Sequence, residues 1–206
     1  AEHPWDGFRT SQENSRINYA SLTAGFFFAE YNLTSWTSIG VYSNSVKEDV
    51  NEPDDSWIMP KIYFYTDRAT DGFLGADADT LEKWDFTSFR PQLIVVNLGT
   101  NDKDYTRGIK ERTDAFKEAY VSFIRDVRKA NPDSYILCTL GAMGQELCPQ
   151  VEEAVSILND SRISFMPFDV QLESDGIGAE GHPNSITHRK MADKLISHIK
   201  RLGIFS

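Results

Sequence analysis

Residues 91–102 read PQLIVVNLGTND. Residues 93–96, Leu-Ile-Val-Val, are an unbroken, mostly β-branched apolar run too short for a lone helix, the pattern of a strand buried on both faces. The run gives way to Gly99, which permits a tight turn, and then to Thr100, Asn101 and Asp102 at the strand's carboxyl end. Open parallel sheets hold their ligands at that edge, so functional groups are expected there.

The flanking chain alternates strand and helix patterns. Residues 31–37, 135–140 and 163–168 read as further strands. Ile17, Ala20, Ala24, Phe27 and Phe28 predict a helix over 15–30. Ile109, Thr113, Phe116, Tyr120, Phe123, Ile124 and Val127 mark a long amphipathic helix that Asn131-Pro132 ends. Val151, Ala154, Val155 and Leu158 give a short helix, and Met191, Leu195, Ile199 and Leu202 a final one. This order predicts one α/β domain, a three-layer α/β/α sandwich on a parallel flavodoxin-like sheet. Residues 46–60, acidic and Pro-bearing, read as a surface insertion, and 61–65 as an extra strand. Residues 71–79, DGFLGADAD, lack the ordered oxygen ligands and closing Glu of a calcium loop and read as a solvated loop.

Composition narrows the partners. The formal net charge of −10 over 206 residues, with no Lys/Arg block, repels phosphate backbones and argues against nucleic acid. No apolar run approaches the ~20 residues of a membrane span. The first residues, AEHPWDGFRT, lack a signal peptide's basic start and apolar middle, so any export signal is expected outside this sequence. Cys138 and Cys148 read as structural thiols, neither disulfide framework nor zinc site. No Gly-rich phosphate loop follows a strand, which disfavours a flavodoxin-like cofactor carrier; no cofactor is expected.

Between the last strand and last helix lies GIGAEGHPNSITH, residues 176–188. A Gly-rich loop with one His beside a carboxylate suits a general base, and His182 is the candidate. Glu180, two residues earlier, shares its face in an extended segment and could hold the imidazole Nδ1 proton. The plainer reading makes His182 a loop histidine bonded to backbone. Asn101 is either a loop cap or an amide that donates to a developing oxyanion. His188 and His198 fall in the terminal helix pattern and read as structural.

Together these stretches carry a resemblance. VNLGTND at 96–102 resembles the third conserved block of the SGNH hydrolases, and GHPN at 181–184 their last block. NYASLTA at 18–24, SWTSIGVYSN at 35–44, DGIGAEGHPN at 175–184 and THRKMA at 187–192 resemble carbohydrate esterase family 2 over most of the chain. The resemblance implies a secreted deacetylase of plant polysaccharides such as xylan and mannan, with a small β-sandwich upstream. It implies His182 as base, Glu180 as orienting acid in place of the Ala179 position, and Asn101 with the Gly40 N–H as oxyanion donors. Ser38 stands where many relatives have Gly. Trp36 and Trp57 are candidates for stacking on sugar rings, with core packing as the plain alternative. A carbohydrate-binding module that has lost catalysis is the rival from another class.

One part of the family pattern has no counterpart here. SGNH enzymes take their nucleophile from a Gly-Asp-Ser turn ending the first strand, and Ser11, Ser15 and Ser21 do not occupy such a turn. The expectation is that an upstream segment or a separate chain supplies that strand, between 31–37 and 93–98, together with the serine.

Overall fold

A computed structural model describes residues 14–68, 75 and 80–205. The 71–79 loop therefore lies outside the described residues, apart from Gly75. Three parallel strands, β1 (Leu93–Asn97), β2 (Tyr135–Leu140) and β3 (Ile163–Pro167), pair in the order β1-β2-β3, with Val96 opposite Cys138 and Cys138 opposite Phe165. This is the order of the last three strands of a flavodoxin-like sheet.

The period-two alternation of the strands divides their side chains between two helical layers. Ile94, Val96, Ile136, Cys138, Leu140, Ile163 and Phe165 meet α2 (Lys110–Ala130) and α3 (Cys148–Leu158). Leu93, Val95, Leu137 and Met166 meet α1 (Tyr19–Phe26) and α4 (Ser185–Leu202). The result is the expected α/β/α sandwich. Cys138, in the centre of β2, is free, and burial pushes its thiol up to about 12, which leaves it inert. No helix among the described residues is long and apolar enough to cross a membrane.

Several boundaries differ from expectation for identifiable reasons. The first helix is only eight residues long, because Asn18 caps it by accepting from the Ser21 N–H and Phe28 turns left-handed (φ 51°) just past its end. The last helix starts earlier, at Ser185, because Asn184 of the GHPN block accepts from the Ile186 and Thr187 N–H groups. Residues 61–65 form no strand: Met59–Ile62 is a single helical turn, and Tyr65 makes one isolated antiparallel bridge to Lys83.

Residues 31–37 are not a strand either; they are irregular and exposed. A strand needs a ladder partner, and among the described residues β1 pairs with β2 alone. The expectation that β1 is buried on both faces is corrected with it: of Leu93 to Val96 only Val96 is buried, whereas Ile136 to Leu140 of β2 all are. β1 thus has the sequence of a central strand and the position of an edge.

Packing against the sheet is tight where β1 turns. Gly99 sits at φ 126°, and a Cβ there would stand 3.0 Å from Leu140 Cδ2 and 3.2 Å from Phe116 Cζ. Phe116 itself lies on the sheet-facing side of α2 and is fully buried. Phe116→Ala should lower stability by ~3–5 kcal/mol, checked by denaturant unfolding; a loss below ~1 kcal/mol would show that this core can collapse around the gap.

Candidate active site

The loop after β1 and the loop before α4 both lie at the carboxyl edge of the sheet. Asn101 is half-buried, and its Nδ2 donates to the Ile39 carbonyl at 2.8 Å. That bond joins the Asn101 turn to residues 39–43, so the structure brings Asn101 and Gly40 together. A carboxamide nitrogen carries two protons; the second is left for another acceptor.

The next residue, Asp102, does most of the joining. Its carboxylate is fully buried, and Oδ1 accepts from the backbone N–H groups of Val41 (3.1 Å), Tyr42 (2.7 Å) and Ser43 (3.0 Å). Burial raises the Asp102 carboxyl above the ordinary aspartate range, against the pull of the Ser43, Tyr42 and Val41 N–H groups. A proton is therefore held more tightly in the fold than in the unfolded chain. The stability this gives is complete below the ordinary aspartate value of ~3.9 and is lost as pH rises through the folded value.

Gly40 has no room for a side chain: a Cβ would lie 1.8 Å from the Ser43 carbonyl oxygen and 2.9 Å from Asp102 Oδ1. Its N–H, however, donates to Asn44 Oδ1 at 3.2 Å, within a buried turn. The expected oxyanion donor is thus already engaged. Asn44 is held in turn, its N–H donating to the Asp54 carbonyl and its Nδ2 to the Asp54 carboxylate, which anchors the acidic insertion. Ser38 is exposed and left-handed at φ 60°, a conformation in which glycine is unstrained.

His182 follows a short 3-10 turn, Ala179–Gly181. Gly178 N–H donates to the His182 carbonyl, and Gln171 Nε2 to the Gly181 carbonyl at 2.7 Å. His182 Nδ1 lies 3.1 Å from the Ala179 carbonyl. A carbonyl only accepts, so Nδ1 carries the proton and Nε2 is left as the basic nitrogen on an exposed ring.

This corrects the role expected of Glu180. The segment is not extended there: Glu180 is left-handed (φ 52°), its side chain is exposed, and no hydrogen bond or ion pair joins its carboxylate to His182. The Ala179 carbonyl takes the orienting place. His188 is structural as expected, accepting the Tyr19 N–H on Nδ1 and stacking on the Tyr19 ring.

Trp36 lies in the irregular 31–37 segment, 54% exposed. Trp57 is half-buried, has the Arg68 guanidinium 4.8 Å from its ring centroid, and lines a groove with Trp84, Phe86 and Lys129 beside the last turns of α2. Among the described residues no hydrogen bond links either tryptophan, or His182, to Asn101, and no serine hydroxyl is bonded to His182. Among the described residues no cluster of His, Cys, Asp and Glu is arranged to hold a metal.

The chain is thus a three-layer sandwich with Asn101 and His182 at the carboxyl edge of its sheet. A GDSL-like lipase structure from Bacteroides ovatus shares the sandwich, with a TM-score of 0.60 at 14% identity over 94% of this chain and 83% of that one. No protein-family model matches the chain. Cellulase/esterase CelE of Acetivibrio thermocellus is 34% identical over 95% of this chain and 23% of its own length. An acetylxylan esterase / glucomannan deacetylase of Cellvibrio japonicus is 26% identical over 92% of this chain and 49% of its own. A family two carbohydrate esterase from Clostridium thermocellum, solved in complex with cellohexaose, superimposes with a TM-score of 0.80 at 30% identity, over 99% of this chain and 60% of that one. Other structural neighbours are family two carbohydrate esterases as well, one of them from Cellvibrio japonicus. The chain spans between about a quarter and about half the length of these two curated relatives.

Gly40→Ala should displace the 39–43 loop and lower stability by at least the ~1–3 kcal/mol of an overpacked site. An unchanged unfolding midpoint would mean that the turn has more room than the 1.8 Å approach allows.

Proposed function

We propose that the protein is a serine esterase that removes O-acetyl groups from plant polysaccharides such as xylan and mannan. The observation that carries this reading is the imidazole of His182, its tautomer set by the Ala179 carbonyl and its Nε2 exposed at the edge that also holds Asn101. The relatives' names, acetylxylan esterase and glucomannan deacetylase among them, supply the substrate class. Such polymers lie outside the cell, and the enzyme's place is there.

The nucleophile belongs to a serine on a strand upstream of residue 1, seated along the open edge of β1. The support is physical. Natural edge strands are blunted by charge, proline or bulges, yet β1 reads Leu-Ile-Val-Val-Asn with none of these. Its outward N–H and C=O groups have no strand partner among the described residues, and residues 31–37, irregular in the structure, have no strand neighbour among them either.

In the reaction, His182 Nε2 takes the serine proton as Oγ bonds to the acetyl carbon. The carbonyl oxygen becomes an oxyanion that the second Nδ2 proton of Asn101 and the serine N–H stabilise. The Gly40 N–H joins them only if Asn44 releases it. Collapse breaks the ester C–O bond, the imidazolium protonates the leaving sugar oxygen, and water, deprotonated by His182, cleaves the acetyl-enzyme. Trp36 offers an exposed ring for a sugar face.

A carbohydrate-binding module without catalysis is the second reading, favoured by the cellohexaose complex of the relative. Acetate release from acetylated xylan by the full-length protein decides between them. His182→Ala should abolish release with the circular dichroism spectrum unchanged, and wild-type turnover in that variant would remove His182 as base. Asn101→Ala should slow turnover about 100- to 1,000-fold, the worth of one oxyanion donor. Glu180→Gln should change kcat less than about twofold and leave the pH–rate profile in place, because the Ala179 carbonyl holds the ring. A tenfold loss would restore the carboxylate to the machinery.

A further inference from the structure

We propose that Asp102 is a positioning residue for the oxyanion-stabilising amide of Asn101. This rests on the esterase reading of the site and names the device that presets it. Asp102 is fully buried and forms no ion pair among the described residues, so a charge partner does not explain why a carboxylate, rather than an apolar or amide side chain, occupies the position. Its surroundings do. Three successive backbone N–H groups, of Val41, Tyr42 and Ser43, converge on Oδ1, and the Val41 N–H is shared with Oδ2 at 3.1 Å. Only an anion accepts three such donors well; a carboxamide turns an N–H toward one of them.

The clamp has a definite output. The loop it holds carries the Ile39 carbonyl, and that carbonyl takes one Nδ2 proton of Asn101 at 2.8 Å. With one amide proton fixed, the other has a fixed direction. Asn101 is the chain neighbour of Asp102, so its backbone is held at one end and its side chain through the loop at the other. Gly40 completes the arrangement, since any Cβ there would collide with the Ser43 carbonyl oxygen and with Asp102 Oδ1. Preorganised donors stabilise a developing charge without reorganising during the reaction. The Asp102 clamp supplies that preorganisation from beneath the loop, without touching substrate.

The test is a double-mutant cycle on the full-length protein with p-nitrophenyl acetate, using Asp102→Asn, Asn101→Ala and the double variant. Asp102→Asn should lower kcat about 10- to 100-fold with KM changed less than about threefold, since an effect confined to the transition state appears in kcat. In the Asn101→Ala background the same change should cost less than about threefold, because the residue acts through Asn101. Additive losses in the cycle, or a loss confined to KM, would overturn the role. Amide exchange at Val41, Tyr42 and Ser43 gives a readout that needs no turnover: protection of these three should fall selectively in Asp102→Asn. Unaltered exchange would overturn the clamp. A wild-type protein that releases no acetate would overturn the esterase reading itself, which an active wild type with an additive cycle would leave standing.

Discussion

A buried carboxylate with no ion-pair partner among the described residues is the constraint on which the site depends. Desolvating Asp102 costs energy, as its raised pKa reflects, and the Ser43, Tyr42 and Val41 N–H groups offset part of that cost. The loop is held in one shape because, among the described residues, three of its donors share this one acceptor. Through Ile39 that shape reaches Asn101, and through Asn44 and Asp54 it reaches the acidic insertion. A segment that reads as a surface loop in sequence is thereby anchored to the loop that Asp102 holds.

The sheet sets the second constraint. β2 is the strand that the described residues bury most fully, Ile136 to Leu140 sandwiched between the α2/α3 and α1/α4 layers. β1 carries an equally apolar sequence but is only half covered. The mismatch between composition and position is the physical ground for an additional strand along β1. That strand would put a serine at the edge where His182 already offers a basic nitrogen.

Much of this was legible from periodicity. The run at 93–96 gave a strand, the 3.6-residue spacing from Ile109 to Val127 gave the long helix, and LGTND and GHPN marked the two loops at the carboxyl edge. What stayed hidden depends on backbone conformation that spacing does not encode. Glu180 shares a face with His182 only in an extended segment, and its left-handed backbone turns it away. The Gly40 N–H looked free because the Asn44 side chain that takes it lies four residues later in a turn. Asp102 carried a faint signal, a charged residue directly after a buried strand and its turn, but its three partners lie about sixty positions away. Residues 31–37 have strand composition, and a strand forms only where a neighbour completes its ladder.

The proposed chemistry has His182 activate a serine presented on a strand along the open edge of β1. Reaction of the active full-length protein with a serine-directed organophosphate, followed by mass mapping of the labelled peptide, tests it most directly. The account predicts one label, on a serine upstream of residue 1, absent when the protein is labelled as the His182→Ala variant. A label on Ser15, Ser21, Ser38 or any other serine of this chain, or full acetate release from a protein that takes up no label, would contradict it.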